Sequence, residues 1–194
     1  MNKYIPEKIN LLDEYIPDNA SYRIRVDANE SPFLPSEAMM ADMKAAFESI
    51  PFNRYPDSTA SVLVSAYSKI YGIDENCVVA GNGSDELISV ISQTFFSPGD
   101  KRMVVLPDFS MYEFYAKISG AEVVKYTKHN DFEIDFSAIS REVAENGIKM
   151  VIFSNPCNPT GKCYPKSDIE KFVSETDALI VVDEAYMEFC ESGC

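Results

Sequence analysis

The chain has 194 residues, 46% of them hydrophobic and 12% aromatic, which is enough for a sizeable buried core and excludes intrinsic disorder. Its formal net charge of −14 excludes the basic face that generic nucleic-acid binding needs and disfavours an anionic membrane surface. No apolar run approaches membrane-spanning length, and the start, Met1-Asn2-Lys3-Tyr4-Ile5, has no apolar segment of a signal peptide.

Residues 1–35 are polar and punctuated by proline, and they read as an arm with one extended piece at 22–26. Ser36 is placed to cap a helix whose apolar positions, Met39, Met40, Met43, Phe47 and Ile50, fall mostly three and four apart. Residues 51–57 form a loop. Ser58 is the expected cap of a second helix, with Val62, Leu63, Ala66, Tyr67 and Ile70 inward and Gly72 ending it. From there strands and helices alternate. Strands are predicted at 77–80, 103–106, 121–126, 150–154 and 179–182, and helices at 84–96, 109–119, 135–145 and 166–175. Short apolar runs between amphipathic helices predict an α/β domain whose largely parallel sheet is covered on both faces. Ligands of such sheets bind beyond the carboxyl ends of the strands. The main motifs fall at those ends.

The first, Gly81-Asn82-Gly83-Ser84-Asp85-Glu86, follows a strand and opens a helix. Glycines allow a tight turn, and the N–H groups and dipole of the helix start favour a phosphate. The Rossmann pattern would need a third glycine where Glu86 stands; a plain strand–turn–helix capped by Ser84 is the alternative. In Pro107-Asp108-Phe109-Ser110-Met111-Tyr112, either Phe109 or Tyr112 can lie on a planar heterocycle, unless both are helix core. Asn155-Pro156-Cys157-Asn158-Pro159-Thr160-Gly161 forces extended or turn geometry, with either Asn-Pro bond open to cis. Its Asn158 amide can donate to a ligand or only to its own backbone.

Asp183 ends the last apolar run, Leu179-Ile180-Val181-Val182, and Tyr186 follows three residues later. A carboxylate there needs a cationic partner, for which a protonated pyridine nitrogen qualifies. A magnesium ion is the other choice, but the GxxxxGK[ST] loop that would accompany it is absent. Arg54 and Tyr55, in Asn53-Arg54-Tyr55-Pro56-Asp57, can bind phosphate oxygens or simply line a surface loop. His129, the single histidine, reads as a solvated turn residue. The five cysteines, Cys77, Cys157, Cys163, Cys190 and Cys194, are odd in number and form no CxxC. No disulfide framework and no metal site is expected, and the thiols read as reduced in a cytoplasmic protein.

In order and spacing these motifs, together with Asp27-Ala28-Asn29-Glu30, resemble the fold-type I pyridoxal phosphate enzymes of the class I/II aminotransferase group. Within that group the chain most resembles the histidinol-phosphate aminotransferases, from about Asp27 to Phe189. The resemblance implies a three-layer α/β/α fold around a mostly parallel sheet. Residues 1–35 would be an arm and the start of a small domain, and 36–194 the amino-terminal part of a large domain. It further implies that Ser84 and Asp85 bind the phosphate of pyridoxal 5'-phosphate and that Phe109 stacks on its ring, where many relatives have Tyr. Asn158 and Tyr186 would contact the phenolic oxygen and Asp183 the pyridine nitrogen. Tyr55 would reach the phosphate in the neighbouring subunit of a homodimer.

The lysine that holds the cofactor in this family follows the aspartate, within a Ser-x-x-Lys segment, and here the last lysine is Lys171. The family's lysine also moves the substrate's α-proton. The chain is therefore expected to be a piece truncated before that lysine, inactive alone, with a sheet incomplete on its carboxy-terminal side. Strand 77–80 would then have no neighbour, and a rearranged sheet, pairing between chains or a longer parent is expected. The implied reaction passes an amino group from a small amino acid or phosphate-bearing amine such as histidinol phosphate to a 2-oxo acid, 2-oxoglutarate. Threonine-phosphate decarboxylase, an aromatic aminotransferase, and a non-catalytic remnant that binds the cofactor or pairs chains are the alternatives.

Overall fold

Residues Lys101–Leu106 form strand β1, in which Met103 and Val105 point to one side of the sheet and Val104 to the other. The computed structural model describes residues 4–10, 12, 21–24 and 30–190. The extended piece at 22–26 lies partly outside them, and Asp27, Ala28 and Asn29 lie wholly outside. The chain clusters into two compact units, Met1–Asp13 with Gly81–Cys194, and Glu14–Ala80.

The first unit is built on four parallel strands, β1, β2 (Glu122–Thr127), β3 (Ile148–Ser154) and β4 (Leu179–Asp183), in the order β2-β1-β3-β4. Apolar residues alternate between the two faces. Met103, Val105, Val151 and Phe153 share a core with Ile139 and Val143 of helix α6 (Phe136–Asn146) and Phe172 of α7 (Lys166–Ser174). On the other face Val104, Met150 and Ile152 pack with Ile88 of α4 (Ser84–Thr94) and Tyr112 of α5 (Met111–Ile118). The result is the expected three-layer α/β/α arrangement. Local chemistry sets the helix ends. The Asp135 carboxylate accepts from the Ala138 N–H at 2.9 Å, and Gly147 closes α6 in the left-handed region, φ 65°. The short α1 (Glu7–Asn10) docks through the Lys8 ammonium, which donates to the Ile118 carbonyl at 2.5 Å.

One expected strand is corrected. Residues Glu75–Cys77 make a 3-10 turn and Val78 is extended, but 77–80 form no part of the sheet, and Val79 is exposed. An extended segment becomes a strand only when a neighbour supplies a ladder.

In the second unit α2 (Glu37–Glu48) begins as expected, the Ser36 hydroxyl accepting from the Met39 N–H at 3.2 Å. The expected Ser58 cap is corrected: α3 (Ser61–Tyr71) begins after Ala60, and the Asp57 carboxylate, not the Ser58 hydroxyl, takes its first N–H. That carboxylate accepts from the N–H groups of Thr59 (3.0 Å) and Ser61 (2.7 Å) and from the Thr59 hydroxyl (2.7 Å). Gly72 ends α3 in the left-handed region. Val64 and Ser68 are the buried residues of α3, whereas Val62, Leu63, Ala66, Tyr67 and Ile70 are exposed, as is the apolar row of α2. The expected inward face of α3 is thus corrected: the residues it buries are Val64 and Ser68.

Among the described residues no helix is long and apolar enough to cross a membrane. The sulfurs of Cys163 and Cys190 lie 3.0 Å apart, a contact their spacing had not marked, while Cys77 and Cys157 are free.

Candidate active site

Parallel pairing of β3 with β4 sets Ser154 beside Asp183, at the carboxyl edge of the sheet. The ladder continues one residue further, where the Asn155 N–H donates to the Asp183 carbonyl at 2.8 Å. This fixes the backbone from which the Asp183 side chain leaves. One carboxylate oxygen accepts from the Tyr112 hydroxyl at 2.9 Å and the other from the Ala185 N–H at 3.1 Å. Tyr112 is buried in the first turn of α5. Burial first, then the nearby carboxylates of Asp183 and Asp108, push its phenol far above the ordinary range. It is therefore a neutral donor.

Opposite lies the start of α4. Gly83 has φ 85°, a conformation that suits glycine, and a Cβ on Gly81 would come within 2.7 Å of the Leu87 side chain. The Glu86 carboxylate turns back to accept from the Asn82 N–H, so one exposed donor of the turn is satisfied internally. Phe109 stands edge-on to Tyr112, with ring centroids 5.6 Å apart. Both Asn-Pro bonds of the loop after β3 are cis, and the Asn158 N–H donates to the Ser154 hydroxyl at 3.1 Å.

A cavity of about 230 Å³ joins these parts. Ser84, Asp85, Phe109, Asn158, Asp183 and Tyr186 all line it, so six of the seven residues singled out from the sequence share one site. That volume is below the roughly 300–1,000 Å³ usual for drug-sized ligands and suits a single substituted ring. The seventh, Tyr55, belongs to the other unit, where it is fully exposed. A larger cavity, about 620 Å³, opens at the amino-terminal ends of β3 and β4, near Ile148 and Leu179. It lies at the end of a parallel sheet where ligands rarely bind.

The donor set fits a ring that is cationic at one end and anionic at the other. The Asp183 carboxylate accepts from a neutral phenol and a backbone N–H, an arrangement that suits a cationic ligand group beside it. The α4 terminus offers backbone N–H groups and the Ser84 hydroxyl to an anion. Sequence reasoning treated Tyr112 only as a stacking candidate or core residue. It also passed over Ser154 and the buried Asp108–Lys128 pair behind it. Tyr112 and Asp183 are 71 positions apart, and no local spacing signals such a contact. The one available hint for Asp108 was an acid immediately after a strand-ending proline.

The family described as aminotransferase class I and II has a model that matches residues 23–194. A histidinol-phosphate aminotransferase of Clostridium novyi (strain NT) is 41% identical over 175 residues, 90% of this chain and 49% of that protein. One from Clostridium kluyveri is 36% identical over 193 residues, 100% of this chain and 53% of that protein. Among solved structures, the histidinol-phosphate aminotransferase from Sinorhizobium meliloti in complex with pyridoxal-5'-phosphate is similar with a TM-score of 0.85. It is 22% identical and covers 98% of this chain and 53% of its own, a likeness of fold. The chain thus spans about half the length of the curated relatives it matches.

Proposed function

The chain belongs to the aminotransferase class I and II family, and we propose that the cavity at its strand ends is a pyridoxal 5'-phosphate site serving amino transfer from histidinol phosphate to 2-oxoglutarate. The likeness to histidinol-phosphate aminotransferases supports the choice of amino donor. One observation carries the reading. The Asp183 carboxylate, held by a buried neutral phenol and one N–H, lines the same cavity as the amino terminus of α4.

Each residue has a distinct task in this reading. The first N–H groups of α4, at Ser84 and Asp85, and the Ser84 hydroxyl take the phosphate. Phe109 covers one ring face. The Asn158 amide and the Tyr186 hydroxyl donate to the phenolic oxygen. Asp183 accepts from the pyridine N–H and holds that nitrogen protonated. When bound, the cofactor supplies a cationic ring that takes up negative charge from the adjacent substrate carbon. Tyr55 of a second copy reaches the phosphate, so the working unit is a cytoplasmic homodimer. No lysine lines the cavity among the described residues, and none follows Lys171 in the 194 residues. The chain by itself is therefore expected to bind the cofactor without covalent capture and to turn over no substrate.

Titration of the 194-residue chain with pyridoxal 5'-phosphate, followed by borohydride and intact-mass measurement, tests this. Saturable binding with no borohydride-stable adduct is expected. Asp183→Asn is expected to weaken binding by about ten- to a hundredfold, as loss of a charge-assisted hydrogen bond does. Absence of binding, or equal affinity of the Asp183→Asn chain, would overturn the assignment. Measurable transamination by the purified chain would overturn the claim of inactivity.

A further inference from the structure

Behind the cavity lies a charged pair that the proposed chemistry does not use. Lys128, just past β2, and Asp108, just past β1, meet at 3.1 Å with side chains 0% and 1% exposed. All three protons of the ammonium have acceptors: Asp108, the Pro107 carbonyl at 2.9 Å and the Cys157 sulfur at 2.9 Å. The Asp108 carboxylate accepts in addition from the Phe109 N–H (2.9 Å), the Ser154 N–H (3.2 Å) and the Ser154 hydroxyl. The Ser154 oxygen in turn accepts from the Asn158 N–H. The carboxyl ends of β1, β2 and β3 are thus tied at one point.

Stability alone does not account for this arrangement. Desolvating two charges costs about as much as their attraction returns, and an apolar set of similar volume is often as stable. What charges with directed hydrogen bonds add is fixed geometry. We propose that the Asp108–Lys128 pair is a positioning pair for the cofactor cavity, which holds the backbone of Phe109 directly and that of Asn158 through Ser154. The inference rests on reading that cavity as a pyridoxal phosphate site. Neither charged residue lines the cavity, so both act through their neighbours.

The test compares the 194-residue chain with a near-isosteric neutral double variant, Asp108→Asn with Lys128→Met, and with Ser154→Ala, which keeps the charges but cuts the link to Asn158. Two quantities are read: amide hydrogen exchange without ligand, and the affinity for pyridoxal 5'-phosphate from its absorbance. In the double variant the Phe109, Ser154 and Asn158 amides are expected to exchange about tenfold faster. The Val104 and Ile152 amides, in the strand interiors, should be unchanged. Affinity is expected to fall by about tenfold in both variants. In Ser154→Ala the Asn158 amide should loosen while Phe109 keeps its protection. A folded double variant with parental exchange at Phe109 and Asn158, or with parental affinity, overturns the positioning role. If the double variant does not fold, Ser154→Ala with parental exchange at Asn158 overturns it equally. Failure of the parent chain to bind the cofactor would instead overturn the cofactor reading and the inference with it; that result is distinct from a parent and variant that bind alike.

Discussion

At the scale of single residues, Tyr112 and Tyr164 are the phenols whose protonation is tied most strongly to folding, and Tyr115 is raised as well by its burial. Burial raises the first two above their ordinary range. The Asp183 and Asp108 carboxylates add to the effect at Tyr112, and Cys157 and Glu133 at Tyr164. Above about pH 10 the unfolded chain releases these protons while the folded chain keeps them. Rising pH therefore favours unfolding, and the stability these groups contribute is fully present below that range. Urea midpoints are expected to fall steadily above about pH 10. Tyr112→Phe should shallow that fall, because it deletes one of these titrations, and an unchanged slope would refute the assignment. The same substitution removes the hydroxyl donor of Asp183, so cofactor affinity is expected to drop by about three- to tenfold. Six of the seven residues singled out from sequence share one cavity, and each stands within a few residues of where an apolar run stops. Such stops are local and visible. Tyr112 as the partner of Asp183 was not, since the contact depends on how α5 packs over the sheet.

At the scale of elements, helix starts show how local chemistry decides and how it can be misassigned. Both Asp57 and Ser58 are plausible caps by type. The described backbone places Asp57, not Ser58, within reach of the free N–H groups, and Ala60 takes φ 49° to allow it. Hydrogen bonds from Ser61 and Thr59 hold the Asp57 carboxyl well below the usual carboxylate range. Asp57→Ala is expected to lower the thermal midpoint and the helix signal in circular dichroism, with Ser58→Ala neutral. The reverse order would restore Ser58 as the cap. Helices α4 to α7 begin and end within a few residues of their expected bounds, because caps, glycines and prolines act on their nearest neighbours. Residues 77–80 have the composition of a strand but not the pairing, and pairing is not a property of the segment itself.

At the scale of the whole molecule, the sheet unit is held by two apolar layers that meet at β3. Phe153 is fully buried there and packs with Phe136, in a cluster that includes Tyr164 and Phe172. Phe153→Ala is expected to cost about 3–5 kcal/mol, a large part of the roughly 5–15 kcal/mol available to a domain, as read by urea unfolding. A loss below about 1 kcal/mol would mean that this layer is not the main core. Alternation, run length and turn chemistry were enough, from sequence alone, to define an α/β chain with a parallel sheet and a candidate site at its strand ends. They depend on side chains within a few residues of one another. The order β2-β1-β3-β4, the union of α4, α5, β3 and β4 around one cavity, the Asp108–Lys128 pair and the exclusion of residues 77–80 from the sheet were decided only in three dimensions. Ladder pairing, burial and long-range hydrogen bonds depend on which distant segment arrives alongside, and no window of sequence contains that information.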